Sequence, residues 1–411
     1  EFCSVQYAKR QDIYAGNIKG GAIFVRNYGG LVVRNSAFSN NMVICSTEGV
    51  DGAFGGAIYC HRVPYIVMDG NKFTLNRSFD SGGAVYIDDH CNTTFISNNR
   101  FIRNAAVWYK YSGGWLAIGG IGAAICVSDI AITNLKIFNN QCYNNRSLNG
   151  IIYTSINRAL IYNNVICNNK GPGIMDGSML SQSRIFNNTI VNNYSATGGI
   201  YLFANCYVYN NICWSNLEYP GQTTDQINID PGEHPHLFNN CVQYGEGGDS
   251  AVYLDPQFVN PTTGIGLLYN GSEGDWALTK QSPCVNAGTP DTTGFMIPGS
   301  DILGNPRIFG SRIEIGAYEN QSVWTHADSY ALPSQHIIVF PNPGHDFLCI
   351  DKSNEMITIE LQDLCGKIIL NKELPEGSRF VNTETIREGM YLYRIFDTHK
   401  RIIGYGKWIK N

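Results

Sequence analysis

Gly55-Gly-Ala-Ile-Tyr-Cys60 is the phrase that decides the fold, because it returns along the chain. Gly20-Gly-Ala-Ile-Phe-Val25, Gly82-Gly-Ala-Val-Tyr-Ile87 and Gly122-Ala-Ala-Ile-Cys-Val127 are close copies, with looser ones at Gly150, Gly173 and near Gly199. A second phrase answers it, an aromatic residue followed closely by asparagines: Phe38-Ser-Asn-Asn41, Phe101-Ile-Arg-Asn104, Phe138-Asn-Asn140, Tyr162-Asn-Asn164, Phe186-Asn-Asn188, Tyr209-Asn-Asn211 and Phe238-Asn-Asn240. From Asn140 to Asn164 to Asn188 the period is 24 residues, the mark of a stacked repeat. Each repeat holds short runs of β-formers separated by Gly, Asn and Ser, too short for helices and too regular for loops. The pattern predicts that each repeat is one coil of a parallel β-solenoid. The doubled asparagines are expected at its corners, where they tolerate left-handed backbone and stack their amides from rung to rung.

Bulk properties narrow the function. The chain has 411 residues, more than one ordinary core accommodates, so several modules are expected. Charged residues make up 15%, against a usual share of about 25%, and the net charge is −5 without a basic stripe. That balance argues against nucleic acid as a partner. No apolar run reaches the ~18 residues of a membrane helix. The start, Glu1-Phe-Cys-Ser, enters in mid-repeat, which suggests that residues precede it. Thirteen cysteines is an odd number, with no C-x-x-C and no Cys/His spacing for zinc. Cys142 and Cys213 fall in a column with Ile166, Ile190 and Val242, where thiols serve as small buried hydrophobes.

Residues 251–320 change character. They carry Leu254-Asp-Pro-Gln-Phe258, Trp276-Ala-Leu278, Ser282-Pro-Cys-Val-Asn-Ala-Gly288, Asp301-Ile-Leu-Gly-Asn-Pro-Arg307 and Ile313-Glu-Ile-Gly-Ala-Tyr-Glu319. In this order the phrases resemble the end module of right-handed parallel β-helix proteins of the choice-of-anchor Q type. The earlier repeats resemble, more loosely, those of polymorphic outer-membrane β-helices. The resemblance implies a right-handed, single-stranded parallel β-helix of pectate-lyase-like form over residues 1–320. Asp255, Asp301, Arg307, Glu314 and Glu319 are expected to cap the solenoid through buried salt links.

Residues 321–334 read as a linker. Beyond them Val339-Phe-Pro-Asn-Pro343, the alternating Ile357-Thr-Ile-Glu-Leu361, Asp363-Leu-Cys-Gly-Lys367, Glu388-Gly-Met-Tyr-Leu-Tyr-Arg394 and Gly406-Lys-Trp-Ile-Lys410 predict a small antiparallel, immunoglobulin-like β-sandwich over 335–411. This set resembles the type A C-terminal sorting domain of the type IX secretion system. The resemblance implies export by that machinery to the outer surface of a Gram-negative, Bacteroidetes-type bacterium, removal of the domain, and attachment to lipopolysaccharide. A binding appendage of the same fold is the alternative.

Side chains alternate between the two faces of a strand. Turning Ile23, Ile58, Val85 and Ile125 inward, with Val25, Cys60, Ile87 and Val127 two places on, leaves two outward columns: Phe24/Tyr59/Tyr86/Cys126/Tyr153 and Arg26/His61/Asp88/Ser128. The opposite choice would bury Arg26, His61 and Asp88 unpaired, at high cost. One position further, Asn27, Arg62, Asp89 and Asp129 align, with His90 beside Asp89. The long connections Met42–Phe54 and Ala105–Ile121, the second carrying Trp108, Tyr111 and Trp115, are expected to wall a trough floored by Tyr59 and Tyr86. Aromatic faces beside carboxylates and guanidinium groups suit sugars.

Three readings of this strip stay open. It is a polysaccharide-binding surface with Arg26, Tyr59, Tyr86, His90, Trp108, Tyr111, Trp115 and Asp129 as contacts. Or it is the site of a polysaccharide lyase or glycoside hydrolase, with Asp88, Asp89, His61 and Arg62 catalytic and Ca²⁺ held by Asp88 and Asp89. Or it is a structural salt ladder, Arg26–Asp88 or Arg62–Asp89. The Gly-His-Gly and Arg-x-Lys elements of β-helix polygalacturonases do not occur. An adhesin, the remaining class, would present a broad apolar sheet instead. In the insertion Asp225–His236, Asp230, Glu233, His234 and His236 could gather a divalent cation, although two prolines favour a solvated loop. Nothing in the pattern calls for more than a monomer.

Overall fold

The computed structural model describes residues 3–6, 8–12, 18–45, 52–107, 120–128, 131–218, 222–289, 297–321, 339–350, 356–363, 367–398 and 402–411. Contacts divide the chain into two units, Glu1–Ser322 and Val323–Asn411. All but residue 321 of the expected linker lies outside the described residues.

The first unit is a parallel β-helix with three long sheets. Sheet I has eight strands, from Ile23–Arg26 to Ile227–Ile229. Sheet II has eight, from Leu31–Arg34 to His236–Phe238, and sheet III has nine, from Ser4–Gln6 to Cys241–Val242. In the first coils a fourth, four-stranded sheet runs from Lys9–Asp12 to Ala105–Ala106. It continues down the stack as single bridges through Arg146, Lys170, Tyr194 and Leu217.

The decisive motif has a two-part physical reason. Gly55 adopts φ +67° at a corner, and a Cβ there would lie 2.4 Å from the Ile58 carbonyl oxygen. A Cβ on Gly56 would lie 2.1 Å from the Gly83 carbonyl oxygen of the next coil, closer than stacked rungs permit. Inside the tube, Ile58, Cys60, Val85, Ile87, Ile125 and Val127 form one buried core with Phe38, Phe73 and Phe101. Cys142, Ile166, Ile190, Cys213 and Val242 occupy one register column, fully buried, as free thiols and aliphatics.

Each asparagine of a pair has its own task. The first takes the left-handed corner, as at Asn139, Asn163, Asn187, Asn210 and Asn239. The second is buried, and its side-chain amide bonds to the next coil through Asn71, Asn99, Asn140, Asn164, Asn188, Asn211 and Asn240 at 3.0–3.1 Å. A second ladder runs Asn41, Asn76, Asn104, Asn145, Asn169, Asn193, Asn216 and Gln226 at 2.7–3.0 Å.

The described residues of 251–320 lie along the side of the tube. Trp276, Leu278, Cys284, Ile315, Ala317 and Tyr318 cover the outward residues of sheet III, among them Tyr143, Val165, Val191 and Ile212, in a separate core. The corner asparagines pin this segment: Asn163 Nδ2 donates to Ser300 O (2.8 Å), Asn187 to Glu314 O (3.1 Å) and Asn239 to Ala287 O (3.1 Å). The expected salt-linked cap is therefore corrected. Asp255 is exposed. Asp301, Arg307, Glu314 and Glu319 are buried, but against the flank. The Arg307 guanidinium donates to the backbone carbonyls of Gly316 and Glu314, and Asp301 and Glu319 accept backbone N–H groups of Glu319 (2.9 Å) and Glu314 (2.8 Å). The charges of Glu319, Asp301 and Glu314 all act on that guanidinium.

Burial pushes the Glu314 carboxyl up to about 7 and the Glu319 carboxyl up to about 8. Carboxyls raised in the folded state hold protons that the unfolded chain releases near 4.5. Their stabilisation is complete below that pH and is lost as pH rises through 7 to 8. Unfolding of the first unit should therefore cost a few kcal/mol more at pH 5 than at pH 9, and Glu319→Gln should flatten that slope. Stability rising across this window would contradict the assignment.

The second unit pairs a three-stranded antiparallel sheet (Val339–Phe340, Phe347–Ile350, Phe380–Asn382) with a four-stranded one (Ile357–Gln362, Ile368–Leu374, Gly389–Phe396, Ile402–Lys410). Val339, Leu348, Ile350 and Val381 of the first share one core with Ile359, Leu361, Tyr393, Ile395 and Trp408 of the second.

Candidate functional site

The outward columns of sheet I form in the expected register. Phe24, Tyr59, Tyr86, Cys126 and Tyr153 pair in sequence, as do Arg26, His61, Asp88 and Ser128. The first three strands end at a left-handed corner, with φ 54° at Asn27, 55° at Arg62 and 48° at Asp89, followed by 58° at His90. Two successive left-handed non-glycine residues are costly, and Asp and His bear that conformation better than most.

The polar heads are mutually engaged. Asp88 accepts the Tyr59 hydroxyl on Oδ2 (2.6 Å) and meets His61 Nδ1 on Oδ1 (2.8 Å). Arg62 Nε donates to Asp89 Oδ2 (2.6 Å), and His90 Nδ1 lies against Asp89 Oδ1. His61 Nε2 is 3.6 Å from Asp89. Hydrogen bonding from His90 and Arg62 holds the Asp89 carboxyl below the usual carboxylate range. Burial, then the bond to Asp88, pushes the Tyr59 phenol above its ordinary value.

One expectation about this strip is overturned. Tyr59 faces away from the tube core yet is fully buried, stacked on Tyr86 with centroids 5.5 Å apart. Lys19 Nζ donates to its hydroxyl (2.7 Å) and lies 4.6 Å from its ring centre. Tyr59 is therefore a covered support, while Phe24 is 42% exposed and Tyr86 half-buried. Lys19 was missed because it precedes the glycine motif. Its signal is its register with Phe54, one rung on. The solvent-exposed heads are Arg26, Arg62 and His90. Trp108, Tyr111, Trp115 and Asp129, with most of the trough's expected walls, lie outside the described residues. Of the two salt ladders weighed, Arg62–Asp89 is present, and His61 takes the place proposed for Arg26 against Asp88.

This geometry bears on chemistry. Glycosidic hydrolysis needs two carboxyls on opposite sides of the bond, roughly 5–9 Å apart. Here the His61 ring fills the space between Asp88 and Asp89. A Ca²⁺ ion between them would have to replace Arg62 and His90 on Asp89. Among the described residues no three His, Cys, Asp or Glu side chains group to hold a metal. Asp230, Glu233, His234 and His236 do not converge either: Asp230 accepts the Tyr201 hydroxyl (3.3 Å), and His236 stacks on Tyr207 at 4.6 Å.

The second unit carries the clearest functional signal. Residues 338–410 match the family described as the secretion system C-terminal sorting domain. The protein is secreted and reaches the cell surface. Its sorting tail is of the type IX kind and fits that secretion machinery. No curated protein matches the chain. Among the described residues no helix is long and apolar enough to cross a membrane.

Proposed function

We propose that the protein is a surface-displayed β-helix that binds acidic polysaccharide along sheet I. The observation that supports this is the pairing of exposed Phe24 and half-buried Tyr86 with the exposed cations Arg26 and Arg62 and the exposed His90 ring on consecutive rungs. Ring faces take the apolar C–H side of a sugar, and guanidinium groups take carboxylates in a two-pronged geometry. Rungs spaced ~4.8 Å apart repeat these contacts along an extended chain. Trp108, Tyr111, Trp115 and Asp129 belong to the proposal on sequence grounds.

Binding without turnover is the favoured form, because Asp88 and Asp89 are each engaged by two partners. A lyase is the second reading, since a carboxylate on His61 Nδ1 orients that imidazole as a base. The test exposes the secreted protein to acidic and neutral polysaccharides with and without Ca²⁺. Retention on an acidic glycan, weakened about tenfold by combined Phe24→Ala and Tyr86→Ala, is the expected result. Release of unsaturated oligosaccharides, abolished by Asp88→Asn, would replace binding by the lyase. Failure to retain any acidic glycan would leave an adhesin in front.

A further inference from the structure

A recess lies between sheet III and the segment that covers it. It encloses about 930 Å³, and Trp214, Glu218, Asp255, Leu268, Tyr269 and Tyr194 are among its lining residues. Trp214 ends the outward column Tyr143, Cys167, Val191 of sheet III, and Tyr194 stands in the neighbouring bridge column beside Leu217. The far wall is the connection between the antiparallel strands Phe258–Asn260 and Asp275–Leu278.

That wall is held rigidly. Asn144 Nδ2 donates to Tyr269 O (2.7 Å), Asn168 Nδ2 to Gly264 O (2.8 Å) and Asn192 Nδ2 to Thr262 O (3.1 Å). A Cβ at Gly264 would lie 2.3 Å from the Tyr269 ring, so the glycine admits the ring that closes over it. A wall pinned at three successive coils does not pay an ordering cost when a ligand enters.

The chemistry of the lining is selective. Trp214 and Tyr194 are half-buried, Tyr269 is 38% exposed and Leu268 is 95% exposed, so ring and aliphatic faces reach the recess. The charged lining groups are Glu218 and Asp255, both acidic. Tyr194 Oη donates to Glu218 Oε1 at 3.5 Å, a long bond that leaves the carboxylate with acceptor capacity. Carboxylates accept pairs of neighbouring hydroxyls and repel uronate or sulfate groups. The volume lies in the range of small-ligand sites.

We propose that this recess is a binding site for a short neutral oligosaccharide, stacked on Trp214 and hydrogen-bonded by Glu218 and Asp255. The proposal rests on the glycan-binding reading for its ligand class, but its place and charge preference are its own. It gives the protein two carbohydrate contacts of opposite electrostatic character, cationic on sheet I and anionic on the flank of sheet III.

The test titrates the full-length secreted protein with neutral gluco- and manno-oligosaccharides and with oligogalacturonate of equal length, by calorimetry and tryptophan fluorescence. Neutral oligosaccharide should bind, with oligogalacturonate at least about tenfold weaker at this site. Trp214→Ala should weaken the neutral ligand about tenfold or more. Glu218→Gln, an isosteric change, should weaken it about fivefold and so guards against misfolding of the tryptophan variant. Combined Phe24→Ala and Tyr86→Ala should leave neutral binding intact. Neutral binding that survives Glu218→Gln and Trp214→Ala but is lost in the Phe24/Tyr86 variant would overturn this inference and keep the sheet I reading. Absence of neutral binding, or preference for the uronate at Trp214, overturns it too. Absence of acidic-glycan retention by the unaltered protein, with neutral binding intact, would remove the sheet I reading alone.

Discussion

Asn188→Ala should lower the unfolding free energy of the β-helix by about 4 kcal/mol. The Asn188 amide oxygen accepts the backbone N–H and side-chain amide of Asn164, both at 3.0 Å. Its nitrogen donates to Ile161 O (2.9 Å), Phe186 O (3.1 Å) and Asn211 Oδ1 (3.0 Å). Alanine deletes all of these inside a fully buried ladder, and the partners left behind cannot turn to water. Neighbouring Asn187 supplies the contrast. It holds a left-handed corner at φ 52° and reaches only the carbonyls of Glu314 (3.1 Å) and Gly316 (3.3 Å). Glycine adopts that backbone freely, so Asn187→Gly should cost only about 1–2 kcal/mol. Chemical denaturation followed by circular dichroism reads both, and equal losses would remove the division of labour within the pair.

Arg307→Met should destabilise the covering segment by about 3–5 kcal/mol at pH 8, because it leaves Asp301, Glu314 and Glu319 buried with no guanidinium among them. The penalty should shrink at pH 5, where Glu314 and Glu319, raised to about 7 and about 8, are protonated and need no counter-charge. Trp276 is fully buried in the core that this segment forms with sheet III, so its emission should shift to the red as the segment lifts. A loss of the same size at both pH values would mean that Arg307 acts through packing and not through charge.

Local chemistry accounts for most of what could be read along the chain. The Gly-Gly-Ala-Ile phrase announces a corner and a close rung because only glycine tolerates both the positive φ and the approaching carbonyl. The inward parity of Ile58 and Val85 follows from the cost of burying His61 and Asp88 in the tube. The sorting tail is legible in its ordered short phrases, and it carries the destination of the protein.

Exposure was not legible, because a column's direction says nothing about what lies over it. Tyr59 points out of the tube and is still sealed by its neighbours, with Lys19 on its hydroxyl. Likewise the residues read as an end cap lie along the flank of sheet III, where corner asparagines from several coils catch backbone carbonyls more than 40 residues away. Repetition along a strand is written in neighbouring residues, so period, parity and corners come from order alone. Which outer face is covered, and which recess stays open beside Trp214, depends on contacts between distant segments whose spacing carries no period, and these exist only once the coils have stacked.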